Sequence, residues 1–290
     1  MIRYNVTSDD LFMMIELRVP GWLTQAKKKT ARFKKSKCYR EKSGTWSPVK
    51  PVFIELQHGK CAYCERKLEE GALGKIEWDV EHFRPKSKVR LWPPQGTGSR
   101  KTFPFGTGSA SAKGYYLLPY HPLNYLASCK VCNSPLKSDF FPIAAPRRSF
   151  SEPDPRKLLK ERPFLPYPLT DLDEDPETLL TFQGFICVPV DGSGDRRNRA
   201  LVTIAFFGLN DRDTLLKDRA EMIISTSVML DRLTGNPQDE IGNEFIRRMG
   251  LPGFRHANCA RSFLRTFRSD PQLANEYVEK ARAYLRSIGE

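Results

Sequence analysis

Long apolar runs, histidines and low-complexity tracts are what this sequence has least of. Its longest apolar stretch, 202–209, is already broken by Thr203 and falls far short of the roughly 18–20 residues a bilayer crossing needs. A membrane-spanning chain is not expected. Asp9, Asp10 and Glu16 interrupt the apolar residues near the start, so no signal-peptide core can be drawn and a cytoplasmic protein is expected. Without Gly/Ser or Gln/Asn tracts, collagen-like, prion-like and wholly disordered chains are excluded. What remains is a folded chain of 290 residues, room for about two domains that each bury a core.

None of the three main parts of the chain is net acidic, and the basic excess is confined to one half. Residues 1–60 hold 13 basic and 5 acidic side chains, 61–146 hold 12 and 7, and 147–290 hold 22 of each, so the whole net charge of +13 precedes residue 147. The densest run, 27–42, contains Lys27, Lys28, Lys29, Arg32, Lys34 and Lys35. Clustered cations of this kind gain counterion-release affinity for a phosphate backbone, and a solvated helix face is the competing reading.

Local signals divide the chain further. Ser8 before Asp9 and Asp10 reads as a helix start that Pro20 and Gly21 end, and 22–36 reads as a basic helix. Pro48 can open a helix whose apolar face holds Val52, Phe53 and Leu56, with Gly59 as its stop. Residues 78–83 and 115–119 have strand composition, 93–114 reads as an exposed loop, and a helix is expected to begin around Asn133. The proline-dense 144–168 reads as a linker or an extended wrapping segment. Beyond it lie a hairpin at 179–190 turning at Gly184, a long helix capped by Asn210, and helices over 239–249, 258–268 and 271–288. The expected organisation is a basic helical extension (1–47), a central domain (48–146) and a mainly helical C-terminal domain (147–290), an α+β chain.

Seven cysteines would be ordinary, but four of them form CAYC at Cys61 and Cys64 and CKVC at Cys129 and Cys132. Two such pairs supply the four thiolate corners of a closed tetrahedral Zn²⁺ site. Cys38, Cys187 and Cys259 have no partner spacing and read as free thiols. Between the pairs lies chemistry. Glu81 and His82 stand together in WDVEHF, and the second pair runs directly into Asn133 with Lys137 after it. A carboxylate, an imidazole and an amide oxygen are parts for metal-assisted phosphodiester hydrolysis, with Mg²⁺ or Mn²⁺ suited to the oxygen donors. Neighbours on a regular strand face opposite ways, so Glu81 and His82 can share one site only at a strand end or bend, which Pro85 makes natural. His58, His121 and His256 lack such companions, His121 being the best placed of them to border the site.

CAYC, VEHFRPK, HPLNYLASCKVCNSPLK and FFP, in that order over about 50–143, resemble the zinc-bearing HNH endonucleases. The resemblance implies a ββα-metal core clamped by four cysteines. It implies His82 as general base, Asn124 as the residue that orients it, and Glu81 and Asn133 as ligands of the catalytic metal. Asn at 133, where many members have His, resembles the Cas9-type HNH domains and favours Mg²⁺. Arg84, Lys86 and Lys137 are then candidates for phosphate contacts. ERPFLPYPLTDLDEDPETLLTF, FQGFICVPV and RALVTIAFFGLNDRDTLLKDR resemble the C-terminal half of stand-alone HNH proteins of bacterial Septu and retron-associated anti-phage operons. That resemblance implies an ABC/SMC-like ATPase of the PtuA type as partner, with a retron reverse transcriptase in the retron branch. The nucleic acid is expected to be DNA, with RNA left open, and the acidic stretch 171–177 could face a basic patch on a partner. The competing class is a zinc-stabilised nucleic-acid-binding or adaptor subunit without chemistry of its own.

Overall fold

The computed structural model describes residues 1–69, 71, 74, 77–94, 102–147 and 150–289. Its helices and small sheets make an α+β chain, and its contacts fall into two compact units. One comprises Arg3–Tyr63 and Lys67–Asp175, the other Met1–Ile2, Cys64–Arg66 and Pro176–Glu290.

The first unit opens with α1 (Ser8–Arg18), which buries Leu11 and Ile15 four residues apart. Its cap is Thr7 rather than Ser8, the hydroxyl accepting from the Asp10 amide at 3.0 Å. Gly21, at φ 78°, makes the sharp entry into α2 (Trp22–Ser36), where Trp22, Ala26 and Phe33 face inward and Lys27, Lys28, Lys34 and Lys35 outward. A 3₁₀ turn at Ser47–Val49 carrying Pro48 leads into α3 (Lys50–Leu56), which buries Val52 and Phe53. The chain leaves α3 through His58 and Gly59, both at positive φ.

Two strands form the unit's sheet. β1 (Trp78–His82) pairs antiparallel with β2 (Tyr125–Cys129), with Trp78 opposite Cys129 and His82 opposite Tyr125. Every residue of β2 is buried, and Gln57 locks α3 to it by exchanging two 2.8 Å hydrogen bonds with the Ala127 backbone. The segment after β2 is one wide π-type turn, Cys132–Lys137, with Pro135 inside, in place of the expected regular helix.

Residues 115–119 form buried turns, not a strand. The Gly114 and Tyr115 amides bond Ser87 and Pro85 carbonyls, after which Leu118 turns back onto Tyr115, so no ladder continues. Gly114 permits this approach because a Cβ there would lie 2.3 Å from the Lys86 carbonyl carbon. Of the segment 93–114, residues 95–101 lie outside the described residues. The remainder is largely exposed and tied down, with Ser111 bridged to Val89 and Phe105 stacked on Phe164. The proline-dense 144–168 takes the wrapping form, burying Leu158, Phe164, Leu165 and Tyr167 and bridging Ile143 to Pro163.

In the second unit, β3 (Leu180–Gln183) and β4 (Ile186–Pro189) form a hairpin turning at Gly184. Five helices follow: α4 (Gly194–Phe207), α5 (Asp213–Gly235), α6 (Glu240–Met249), α7 (Ala257–Ser269) and α8 (Pro271–Ser287). Asp239 and Asp270 cap α6 and α8. Asn210 does not cap α5. Its amide instead exchanges hydrogen bonds of 2.9 and 2.8 Å with the Cys187 backbone and holds the hairpin. Among the described residues, no helix is long and apolar enough to cross a membrane.

Candidate active site and metal centre

The turn after α3 delivers Cys61 and Cys64, and the Ala62 amide bonds the Ala127 carbonyl, which brings this pair against the end of β2. Cys129 ends β2, and the Cys132 amide donates to its sulfur at 3.4 Å. All four side chains are buried and their sulfurs lie within 4.8 Å of one another. A tetrahedral zinc with Zn–S bonds near 2.3 Å needs sulfurs roughly 3.8 Å apart, so this cluster could hold zinc. Cys187 and Cys259 lie outside it, and burial pushes their thiols up to about 11 and about 12.

At the end of β1 is a cavity of about 450 Å³, lined by Trp46, Asp79, Glu81, His82, Lys86 and Asn133 among others. His82 is the last strand residue, and this is how it shares the cavity with its neighbour Glu81. Its ring is held edgewise by Trp46 at 4.6 Å and Tyr125 at 5.1 Å. Nε2 lies 3.1 Å from the Pro119 carbonyl oxygen. A carbonyl only accepts, so Nε2 carries the proton and Nδ1 the lone pair. Burial, then the Lys86 charge, holds the imidazole well below its ordinary pKa, which keeps it neutral.

Glu81 is buried, with Oε1 3.1 Å from the Lys137 ammonium. Burial pushes its carboxyl up to about 7, against the opposing pull of Lys137. Lys137 is wholly buried and also donates to the His82 carbonyl at 3.4 Å, so its charge is spent inside the protein. Asn133 lines the same cavity, its Nδ2 donating to Asp79 Oδ2 at 2.8 Å, while Lys130 pairs with the same carboxylate at 3.0 Å. Asp79 escaped the reading of the sequence, although its place two residues before Glu81 puts both carboxylates on one strand face.

Asn124 is buried and bonds backbone. Its Oδ1 accepts from the Arg84 amide at 2.8 Å, and its Nδ2 donates to the Arg84 and Leu118 carbonyls. It pins the chain that leaves His82 and bonds backbone rather than the ring itself. Arg84 does not face the cavity. It is buried, 2.5 Å from Glu161, donates to the Leu158 carbonyl at 2.8 Å and lies over the rings of Tyr115 and Phe141. Lys86 does line the cavity, its ammonium 4.9 Å from the Trp46 ring centre, and burial lowers its pKa.

On α2, Lys27, Lys28, Arg32, Lys34 and Lys35 are exposed. Lys29 is not part of that face. It pairs with Glu41 at 3.1 Å, bonds Tyr120 at 3.0 Å and covers the Tyr120 ring. His121 does not line the cavity; its Nδ1 accepts from the Leu123 amide at 3.2 Å and its ring meets Phe12. Of the acids at 171–177, Asp171 pairs with Arg156 and Glu177 with Arg261, each within its own unit.

Among curated proteins, the chain is 32% identical over 143 residues to the Septu protein PtuB of Bacillus mycoides (strain KBAB4). The match takes in 48% of this chain and 39% of that protein, so the chain spans about two fifths of its relative's length. No family model and no solved structure matches the chain.

Proposed function

We propose that the chain is a metal-dependent endonuclease of the HNH kind, serving as the nuclease subunit of a Septu-like anti-phage complex with an ABC/SMC-like ATPase. One observation carries the chemistry: Glu81, His82 and Asn133 border a single cavity at the end of an antiparallel strand pair. The likeness to PtuB carries the biological setting.

His82 Nδ1, unprotonated and unburdened by the Nε2 contact, takes the proton of the attacking water. Lys86 and Lys50, which both line the cavity, place positive charge where a phosphate enters. Asn124 keeps the His82 backbone in register through Arg84. The oxygen donors of Glu81 and Asn133 fit Mg²⁺ or Mn²⁺ and would hold it at the cavity, Glu81 exchanging its contact with Lys137. Such an ion, when bound, stabilises charge on the departing 3′ oxygen. The exposed cations of α2 hold the nucleic-acid backbone without reading sequence.

The test is cleavage of DNA and RNA by the zinc-loaded protein, alone and with an ABC/SMC-like ATPase of the PtuA type. Cleavage that needs Mg²⁺ or Mn²⁺, stops in EDTA and yields 5′-phosphate ends is expected. Nucleic-acid binding without cleavage under every condition would favour the adaptor role instead.

A further inference from the structure

Asn133 occupies a weak piece of backbone, a single π-type turn interrupted by Pro135. Two separate contacts compensate. Its main chain follows Cys132 of the sulfur cluster directly, and its side-chain amide is tied at 2.8 Å to Asp79 on β1. The second contact decides which way the amide faces. A carboxylate oxygen only accepts, so Nδ2 must be the atom that meets Asp79, and Oδ1 is then the other branch of the amide. Oδ1 has no hydrogen-bond partner among the described residues, while Asn133 lines the cavity beside Glu81. Asp79 is itself held, pairing with Lys130 through both oxygens at 3.0 and 3.2 Å.

We propose that Asp79 is a positioning residue. It fixes the flip of the Asn133 amide so that Oδ1, the only branch able to ligate a cation, is presented to the metal site between Asn133 and Glu81. The inference rests on the proposed ligand roles of Glu81 and Asn133. It assigns Asp79 an outer-shell role of the kind that orients ligands elsewhere, where losing the partner weakens metal binding about 10- to 100-fold. Because the role is acceptance of one N–H, the charge of Asp79 is dispensable and its acceptor oxygen is not.

The experiment is a titration of the 290-residue, zinc-loaded protein with Mn²⁺, reading free Mn²⁺ by its electron paramagnetic resonance signal. Asp79→Ala is expected to weaken the site by about 10-fold or more, and Asp79→Asn, whose amide oxygen still accepts from Asn133, to stay within about threefold of wild type. Asp79→Leu, similar in shape without an acceptor, should match Asp79→Ala, and it keeps the comparison valid should the alanine variant fail to fold. Zinc content and tryptophan fluorescence report folding independently of Mn²⁺. An unaffected Asp79→Ala beside a weakened Glu81→Gln overturns the inference alone. So does an Asp79→Asn as weak as Asp79→Ala, which would make Asp79 a charged ligand in its own right. If wild type takes up no Mn²⁺, or Glu81→Gln binds it as tightly as wild type, the ligand reading falls and the inference with it.

Discussion

Replacing Arg84 by Met separates a structural cation from a substrate contact. In sequence Arg84 sits two residues past His82 and invites a phosphate. In the fold it is 2% exposed, paired at 2.5 Å with the equally buried Glu161, and it lies over the rings of Tyr115 and Phe141. Removing the guanidinium leaves Glu161 with the Tyr115 hydroxyl at 2.7 Å on one oxygen and no partner on the other, and leaves the Leu158 carbonyl without its donor. Stranding one member of such a pair costs about 3–5 kcal/mol, whereas replacing both by apolar residues of similar volume is often nearly neutral. Arg84→Met should therefore destabilise strongly, and Arg84→Met with Glu161→Leu should recover all but about 1 kcal/mol, a coupling of at least about 2 kcal/mol. Urea unfolding followed by tryptophan fluorescence reads this selectively, since Trp22, Trp46, Trp78 and Trp92 all belong to the unit that holds Arg84. A single mutant within about 1 kcal/mol of wild type, or a double mutant as unstable as the single, would refute the reasoning. So would a folded Arg84→Met that loses nucleic-acid affinity.

The sulfur cluster should yield one zinc per chain on elemental analysis, and Cys61→Ala should lose both the zinc and most soluble protein, because such sites bind as part of folding. Replacing Lys27, Lys28, Lys34 and Lys35 by Ala should weaken binding to all sequences alike and lower the slope of log affinity against log salt by up to about 3.6, at about 0.9 per lost phosphate contact. Lys29→Ala, which breaks the Glu41 and Tyr120 contacts, should instead act mainly on stability. Burial pushes His121 down to about 4, below its ordinary 6.5, so the fold favours the neutral ring. Its stabilising share is complete above pH 6.5 and is lost as pH falls towards 4, by up to about 3 kcal/mol. His121→Asn, which can still accept from the Leu123 amide, should flatten this part of the stability–pH curve measured by the same fluorescence.

Local physics made much of the fold legible. The basic helix 22–36 forms over those residues as α2, the helices expected over 239–249 and 271–288 form as α6 and α8, and Gly184 marks the hairpin. The paired cysteines announce their own cluster because a two-residue spacing is itself the geometry of a metal corner. What escaped depends on partners distant in the chain. Asn210 has the chemistry of a cap, but the Cys187 backbone competes for its amide and wins. Arg84 and Lys137 carry charges that suggest phosphate, and only the fold brings Glu161 and Glu81 to neutralise them in the interior. Residues 115–119 have strand composition but meet no continuous edge to pair with. Asp79 stands inside WDVEHF with nothing local to give it a role, and its link to Asn133 closes only when β1 and the π-type turn are side by side.

The central claim is that His82 is the base of a phosphodiester hydrolysis at the cavity beside Glu81 and Asn133. Single-turnover cleavage with saturating Mg²⁺ compares wild type with His82→Ala directly, because the substitution leaves the four cysteines and the α2 lysines untouched. The rate is expected to fall by about 10²- to 10⁴-fold, with zinc content and nucleic-acid affinity unchanged. A His82→Ala protein that cleaves at the wild-type rate would contradict it.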